Sequence, residues 1–338
     1  DVFFQELELP KPDYHLEVGS GSHATQTGRI MERFEELIIA EAKADHPFDL
    51  VLVVGDVNST LACAIVAAKA NVPVAHVEAG LRSWDRTMPE EINRLATDAL
   101  AKFLFVSEPD AVCNLRREGH SDENIHLVGN VMIDSLRQNL PRALRRATLQ
   151  QFGLDSGNYA LMTLHRPGNV DDPSQFECLL RTVAKLSEEL PVLFPTHPRT
   201  AARLSMSPRL SARLAASPKF IIVQPLSYLD CLCASAQARM ILTDSGGLQE
   251  ESTALGVPCL TLRENTERPI TVELGTSTLV GRDDQFLRSE FRSVLDDTYK
   301  RGACPELWDG RAADRIAAHL ASSFCARAES ASFVIQAA

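Results

Sequence analysis

Several ionisable side chains of this 338-residue chain come just after short apolar runs, and each run predicts a buried strand of a parallel sheet. Asp56, Glu78, His165 and His197 all hold such positions. Ligands of open parallel sheets bind outside the carboxyl ends of the strands, so these side chains are placed for chemistry. Carboxylates that share a cleft move each other's pKa values apart, which provides both a proton donor and a proton acceptor near neutral pH. The pattern therefore indicates acid–base catalysis.

A second kind of chemistry is indicated by the stretch ILTDSGGLQEESTALG. We expect an apolar strand, a turn over residues 244–247 and a short helix over 248–255. The free N–H groups of such a turn and the positive end of the helix dipole attract anions. Ser245 adds a hydroxyl donor, and Gly246 and Gly247 let a phosphate approach because they carry no Cβ.

Two acidic residues follow this turn. We expect Glu250 and Glu251 to lie in the first turn of the helix, where acids suit the dipole. A carboxylate one turn beyond a phosphate site is also placed to accept hydrogen bonds from ribose hydroxyls. The stretch as a whole predicts a site for a phosphate joined to a ribose.

Each of these residues also has a plainer structural interpretation, which the sequence leaves open. Asp56 can cap a helix, and Glu78 can pair with Arg82. Glu90 can be an ordinary acid of a first helical turn, and His165 can bond to backbone at a strand end. The DSGG stretch can be a common turn between a strand and a helix. Only the repetition of such residues at strand ends favours catalysis.

The totals bound the class of protein. A length of 338 residues favours two domains, and the contents of 45% hydrophobic and 23% charged residues are those of a soluble globular protein. The net charge of −11 argues against a nucleic-acid partner. No stretch approaches the roughly 20 apolar residues of a membrane span. The eight scattered cysteines lie mostly in apolar runs, which predicts buried thiols in a reducing, cytoplasmic setting and no metal site.

Strand and helix patterns alternate along the chain in two series, separated by an Arg-rich polar stretch at 137–157 that we interpret as the interdomain connection. This alternation predicts an α/β protein with two doubly wound parallel sheets. We expect a Rossmann-like domain over 1–140, a second one that binds the nucleotide over 141–310, and a final helix within 311–338. Two facing domains would bring both sets of polar strand ends to one cleft.

Seven short stretches together resemble the non-hydrolysing UDP-N-acetylglucosamine 2-epimerases. They follow that family's order and spacing: GDVNST (55–60), HVEAGLR (76–82), PEEINR (89–94), LHRPGNVD (164–171), THPRT (196–200), DSGGLQEE (244–251) and ENTERP (264–269). The resemblance implies two Rossmann-like domains in the manner of GT-B glycosyltransferases, with the last helix crossing back to the first domain. It also implies a homodimer that uses no nicotinamide and needs no metal.

The resemblance further implies roles for individual residues and a reaction. Four positions match the family's catalytic residues, and five match its contacts to the UDP part of a UDP-sugar substrate: Asp56, Glu78, Glu90 and His165 for catalysis; Ser245, Gly246 and Gly247 for the diphosphate, Glu251 for the ribose and Arg268 for the nucleotide. The implied reaction reversibly inverts C2 of UDP-N-acetylglucosamine to give UDP-N-acetylmannosamine. UDP leaves C1 as the C2 proton is lost, and it adds back to the resulting 2-acetamidoglucal with protonation on the other face.

The sequence departs from the family's pattern in two places. The family's opening strand, with its Gly-Thr-Arg-Pro-Glu turn, and its Gln-His loop are absent, so we expect an incomplete first sheet. Unpaired strand groups are then expected near Leu50–Val54 or Val72–Val77, together with weak epimerisation by this length of chain. In addition, Cys231 stands where the family commonly has an aromatic residue.

Three rival functions remain at this point. A hydrolysing epimerase would release UDP and free N-acetylmannosamine, and a GT-B glycosyltransferase would need an acceptor but not the three carboxylates. A binding protein would keep the nucleotide pocket without activity. The sequence also does not distinguish UDP-N-acetylglucosamine from a related UDP-diacetamido sugar acid.

Overall fold

A computed structural model describes residues 2–335 of the chain, with side chains described from Phe4 to Cys325. Within this range the strands are β1 Val51–Val54, β2 Val74–Val77, β3 Phe103–Val106, β4 Ile125–Leu127, β5 Ala160–Thr163, β6 Val192–Pro195, β7 Phe220–Val223, β8 Met240–Thr243, β9 Cys259–Thr261 and β10 Ser277–Leu279. The helices are α1 Val2–Glu6, α2 His23–Lys43, α3 Asn58–Lys69, α4 Pro89–Leu100, α5 Pro109–Arg117, α6 Val131–Ala143, α7 Thr148–Gln151, α8 Pro167–Val170, α9 Pro173–Leu186, α10 Pro198–Ser205, α11 Pro208–Ala215, α12 Tyr228–Ala236, α13 Gly246–Leu255, α14 Pro269–Glu273, α15 Asp284–Leu295 and α16 Ala312–Ile335.

The chain divides into two compact units, each built around one parallel sheet. The β1–β4 unit comprises residues 11–134 and the chain from residue 306 onward, and its strand order is β1-β2-β3-β4. The β5–β10 unit comprises residues 1–10 and 135–305, with the order β10-β9-β8-β5-β6-β7. All strand pairs in both sheets are parallel, which confirms the predicted α/β class with two parallel sheets.

The register of the β5–β10 sheet aligns two strand ends that matter for the site. β5 lies beside β8 in the middle of the sheet, and Thr163 pairs in register with Thr243. The loop that begins at His165 therefore starts next to the one that begins at Asp244. Fully buried strand residues such as Met162 and Leu242 hold both strands in one core.

The β1–β4 sheet has β1 at one edge. Among residues 2–335, β1 pairs with β2 alone, and its side chains alternate between buried and exposed. Val51 and Val53 pack in the core with Ala64 and Ala67 of α3, whereas Leu52 on the opposite face is 43% exposed. Because β1 and β2 run parallel, the residues that follow them emerge at the same end of the sheet.

The ends of the chain join different units. Leu7 packs with Leu136 and Leu229, which groups residues 1–10 with the β5–β10 unit rather than with the residues up to 140. Near the other end, Ile316 of α16 packs on the β1–β4 sheet, and the indole N–H of Trp308 donates to the carbonyl oxygen of Ser107. The polar stretch at 137–157 contains the end of α6 and all of α7.

Two expectations from the sequence are wrong. Only Cys233 and Cys259 are buried, whereas Cys113, Cys178, Cys304 and Cys325 are exposed: apolar neighbours in sequence need not share a face of a helix. The helix after the DSGG stretch begins at Gly246 rather than at Leu248, which places both acidic residues in its second turn: Glu250 and Glu251.

Among the described residues, no helix combines the length and apolarity that a membrane crossing requires.

The backbone at Gly129 provides a test of how the segment around Leu307 packs within the β1–β4 unit. Gly129 has a φ of +89°, and a Cβ there would lie 2.1 Å from the carbonyl oxygen of Leu307. Gly119 is a matched control, since its φ is +91° but a Cβ would meet nothing within 4 Å.

We expect Gly119→Ala to lower the free energy of unfolding by about 1 kcal/mol through the left-handed backbone alone. Gly129→Ala should lower it by about 2 kcal/mol more, because the clash adds to the same strain. Urea denaturation of both variants measures the difference. Equal losses would show that Leu307 does not pack against Gly129.

Candidate active site

Asp56 follows β1 and pairs with a buried arginine. Its Oδ2 accepts a hydrogen bond from Nη1 of Arg94 in α4, and its side chain is 31% exposed. Asn93 donates to the backbone oxygen of Asp56 at 2.8 Å. The N-cap of α3 is Val57, so the interpretation of Asp56 as a helix cap is wrong. Its carboxylate is held in place and remains open to solvent.

Glu78 follows β2 in a strained backbone conformation. Its φ is +71°, a region that residues with a Cβ seldom occupy. Such strain persists only where surrounding contacts impose it, and it is common at functional sites. Arg82, the partner considered from sequence, has its guanidinium engaged by Asp98 at 2.6 Å and by Glu118.

Glu90 lies in the first turn of α4, next to Glu91, which stabilises the local structure. Glu91 is buried and accepts from the N–H of Ser83 at 3.0 Å and of Trp84 at 2.9 Å, as well as from Arg94. Burial alone would raise the pKa of Glu91, but these donors and the charge of Arg94 lower it. Glu91 therefore fixes the loop ahead of α4, while Glu90 is half-buried next to it.

His165 follows β5 and is oriented by a buried aspartate. Its Nδ1 lies 3.1 Å from Oδ1 of Asp244, which is fully buried after β8. Asp244 also accepts from the backbone N–H of His165 and Arg166 and from the side chain of Asn169. Burial would raise the pKa of Asp244, but the hydrogen bonds and the His165 ring lower it. The ring of His165 is 35% exposed, so it can contact a ligand.

His197, at the end of β6, completes this edge of the β5–β10 sheet. Its ring centroid lies 5.7 Å from that of His165. Burial and the neighbouring His165 lower the pKa of His197, which favours its neutral form.

The start of α13 has the features of an anion site. Ser245 is the N-cap, and its hydroxyl accepts from the N–H of Leu248. Gly246 opens the helix, where a Cβ would lie 2.6 Å from Oε1 of Glu267. The end of the Glu267 side chain lies in this space, so the approach of a phosphate to Gly246 stays a prediction.

A cluster of arginines and acids borders this helix start. Glu267 lies 2.6 Å from Arg263 and 3.7 Å from Arg166, and Arg268 lies 2.7 Å from Glu250. Burial would raise the pKa of Glu267, but the arginine charges lower it to about 2. Its carboxylate is therefore ionised and lies where the helix attracts negative charge.

Glu251 lies one turn along α13 in a very different setting. The residue is only 6% exposed, and burial raises the pKa of its carboxyl to about 7. Tyr228 and Cys231 of α12 face it, since its charge contributes to raising the pKa of both side chains. Glu251 thus titrates near neutral pH, which the sequence did not indicate.

The predicted residues fall into two groups, each within one unit. Asp56, Glu78 and Glu90 are in the β1–β4 unit, and the remaining residues are in the β5–β10 unit: His165, Ser245, Gly246, Gly247, Glu251 and Arg268. Sequence reasoning assigned no role to Arg94, Asp98 or Asp244, although each lies inside or near a quoted motif. Across the described side chains, no three His, Cys, Asp or Glu residues are grouped so as to hold a metal ion.

Comparison with known proteins identifies the family. Residues 1–321 match the family model for UDP-N-acetylglucosamine 2-epimerase. The UDP-N-acetylglucosamine 2-epimerase of Methanocaldococcus jannaschii is 41% identical over 320 residues, which are 93% of this chain and 85% of that protein. The UDP-2,3-diacetamido-2,3-dideoxy-D-glucuronate 2-epimerase of Pseudomonas aeruginosa is 37% identical over 329 residues, covering 95% and 87% of the two chains.

The solved structures agree with this assignment. The crystal structure of the Methanocaldococcus jannaschii enzyme in complex with UDP-GlcNAc and UDP matches with a TM-score of 0.81 at 40% identity. The match covers 94% of this chain and 87% of that one. The chain therefore belongs to the UDP-N-acetylglucosamine 2-epimerase family, and it is an isomerase with the GT-B-like fold of that family.

Proposed function

We propose that this protein reversibly converts UDP-N-acetylglucosamine to UDP-N-acetylmannosamine by inverting C2 of the sugar. The observation that carries the proposal is the match, over 94% of the chain, to an epimerase whose solved structure holds UDP-GlcNAc and UDP. The site supports it independently, since an anion-binding helix start and separate carboxylates all follow parallel strands.

The proposed chemistry is an elimination followed by an addition. The C2 proton of the sugar is not acidic enough for direct removal at a useful rate. A carboxylate takes this proton while the C1–oxygen bond breaks, and the bonding electrons of C2–H form the C1=C2 double bond of 2-acetamidoglucal. The electrons of the C1–oxygen bond leave with UDP. Addition of UDP back to C1, with protonation of C2 on the other face, completes the inversion.

The β5–β10 unit supplies the UDP site in this proposal. The diphosphate that leaves C1 gains negative charge, and a helix N-terminus stabilises such charge without reorganising. Ser245, Gly246 and Gly247 form that N-terminus, and Arg268 adds a guanidinium from the same cluster. Glu251 accepts the ribose hydroxyls from its position one turn further along α13.

The proton transfers are assigned to the residues at the strand ends. Asp56, Glu78 and Glu90 provide acid and base on the two faces of the sugar, and His165 contributes from the loop after β5. Asp56 is oriented by Arg94 and His165 by Asp244, so both are fixed before substrate arrives. Such preorganisation is what acid–base catalysis requires of its side chains.

A second candidate substrate is a UDP-diacetamido sugar acid. A relative that is 37% identical over 95% of this chain is named for the 2-epimerisation of such a compound. The reaction at C2 would be the same, and the two sugars differ in the substituent at C3 and in the carboxylate at C6. Turnover of each UDP-sugar by the same preparation distinguishes the two.

We also propose a homodimer in the cytoplasm. The family resemblance supports the dimer, and the eight free cysteines fit a reducing compartment. Light scattering on the purified chain measures its mass against the 37.1 kDa of one copy.

The direct test is turnover in D₂O followed by NMR. We expect the manno epimer to appear with deuterium at C2, because the proton removed from one face is replaced from solvent on the other. Glu78→Gln should lower turnover by at least about 100-fold, the scale of losing a general acid–base group, with UDP affinity unchanged. Release of free N-acetylmannosamine would instead indicate a hydrolysing enzyme. No reaction would indicate a transferase that lacks its acceptor or, if the ligand signals only broaden, a protein that binds the UDP-sugar without activity.

Ser245→Ala tests where the diphosphate binds. We expect UDP affinity to fall by about 1 kcal/mol, because one hydroxyl donor to the diphosphate is lost. Ser22→Ala is the matched control, since Ser22 also caps a helix through its side chain but belongs to the β1–β4 unit. Calorimetry of both variants decides the point. A loss of affinity shared by the two variants, or absent from both, would exclude the Ser245 hydroxyl as a specific contact of the diphosphate.

The pH dependence of binding tests the role of Glu251. Its pKa is about 7, and only the ionised carboxylate is a strong acceptor for ribose hydroxyls, so lowering the pH from 8 to 6 should weaken binding by roughly tenfold. UDP-N-acetylglucosamine is the ligand to use, because free UDP has a terminal phosphate whose second pKa lies near 6. Glu251→Gln should bind weakly at both pH values. A wild-type affinity that is constant over this range would exclude the assignment.

A further inference from the structure

His76 in β2 is a fully buried histidine with a partner at each ring nitrogen. Its Nδ1 lies 2.6 Å from Oδ1 of Asp98 in α4, and its Nε2 lies 3.0 Å from the backbone oxygen of Gly55. The exposed fraction of both His76 and Asp98 is 0%. Neither residue is among the proposed substrate contacts or proton-transfer groups.

The partners determine the protonation state of the ring. A backbone oxygen can only accept, so Nε2 must carry a hydrogen. Asp98 also accepts from the N–H of Gly80 at 3.0 Å and from Arg82 at 2.6 Å, so it is an ionised carboxylate and Nδ1 carries a hydrogen as well. His76 is therefore an imidazolium.

Charges of both signs surround the His76 ring. The cations His76 and Arg82 face the anions Asp98 and Glu118, and Glu78 is a further acid whose charge acts on the His76 ring. Burial alone would lower the pKa of His76, but the hydrogen bond and charge of Asp98 raise it above the usual value. The charged form of the ring is the one that fits its surroundings.

The same group fixes two turns that carry candidate catalytic acids. Gly55 immediately precedes Asp56, and Gly80 comes two residues after Glu78. Gly55, Glu78 and Gly80 all have positive φ angles, of +71°, +71° and +79°. Glycine adopts such angles without strain, but Glu78 keeps its angle only where other contacts impose it. His76 bonds to the first turn, and Asp98 bonds to the second.

We propose that His76 is a positioning residue, which holds the turn bearing Asp56 through its bond to Gly55, while Asp98 holds the turn bearing Glu78 directly through Gly80. It does not touch the substrate. The inference rests on the proposed function, since the two carboxylates need a fixed separation only if both serve one reaction. A displacement of about 1 Å at such groups can slow a reaction by roughly 100-fold.

Two amide substitutions separate the two bonds of His76. In His76→Gln the amide nitrogen takes the place of Nε2 and keeps the bond to Gly55. In His76→Asn the amide nitrogen takes the place of Nδ1, which keeps the bond to Asp98 and loses the one to Gly55. Both variants bury an uncharged amide, so they are matched in chemistry and differ in which hydrogen bond of His76 they retain.

We expect kcat with UDP-N-acetylglucosamine to fall at least about 30-fold in His76→Asn and less than about 5-fold in His76→Gln. KM should change little in either, because the UDP contacts belong to the β5–β10 unit. Activity is measured at a temperature where circular dichroism shows both variants folded. A purely structural role would instead lower kcat equally in the two, and that result would overturn the proposal.

NMR of the wild-type protein and of the two variants tests the bonds of His76 without any measurement of turnover. We expect both ring nitrogens of His76 to remain protonated at pH 8, and amide exchange next to Gly55 to be faster in His76→Asn than in His76→Gln. A neutral His76 ring, or equal exchange in the two variants, would overturn the proposal. If the wild type epimerises no UDP-sugar, the proposed function fails, while these two measurements still decide whether His76 holds the turn at Gly55.

Discussion

Each of the two units is organised around one fully buried carboxylate near the carboxyl ends of its strands. Asp98 and Asp244 both have an exposed fraction of 0%. A buried carboxylate is stable only when several donors surround it, so each aspartate restrains every group that bonds to it. Asp244 restrains the loop that starts at His165, and Asp98 restrains His76 and Gly80. Glu78 and His165 therefore belong to turns that these two aspartates restrain, whereas Asp56 is held by Arg94.

Much of this arrangement could be predicted from the sequence, because it depends on local signals. Apolar runs mark the strands, and the runs Leu50–Val54 and Val72–Val77 agree with β1 and β2 to within two residues. The comparisons confirm the predicted family and the parallel α/β fold. That prediction was possible because seven motifs in fixed order are far more specific than any one of them.

The rest depends on contacts between residues far apart in the chain. His76 and Asp98 are 22 residues apart, and nothing in either motif signals that they meet. The pairing of Asp56 with Arg94 spans 38 residues and replaces the local interpretation as a helix cap. A sequence window cannot weigh such choices, because the deciding partner lies outside it.

The buried position of Glu251 also has a consequence for the fold itself. Its pKa is about 7 in the folded chain against 4.5 for a free carboxyl. Between these two pH values, folded molecules hold a proton that unfolded molecules have released. The stabilisation from that bound proton is complete below pH 4.5 and disappears as the pH rises through 7. The difference of pKa corresponds to roughly 3 kcal/mol, a substantial share of the stability of an ordinary domain. At neutral pH most of that stabilisation is therefore absent, so burial of the Glu251 carboxyl lowers the conformational stability of the protein.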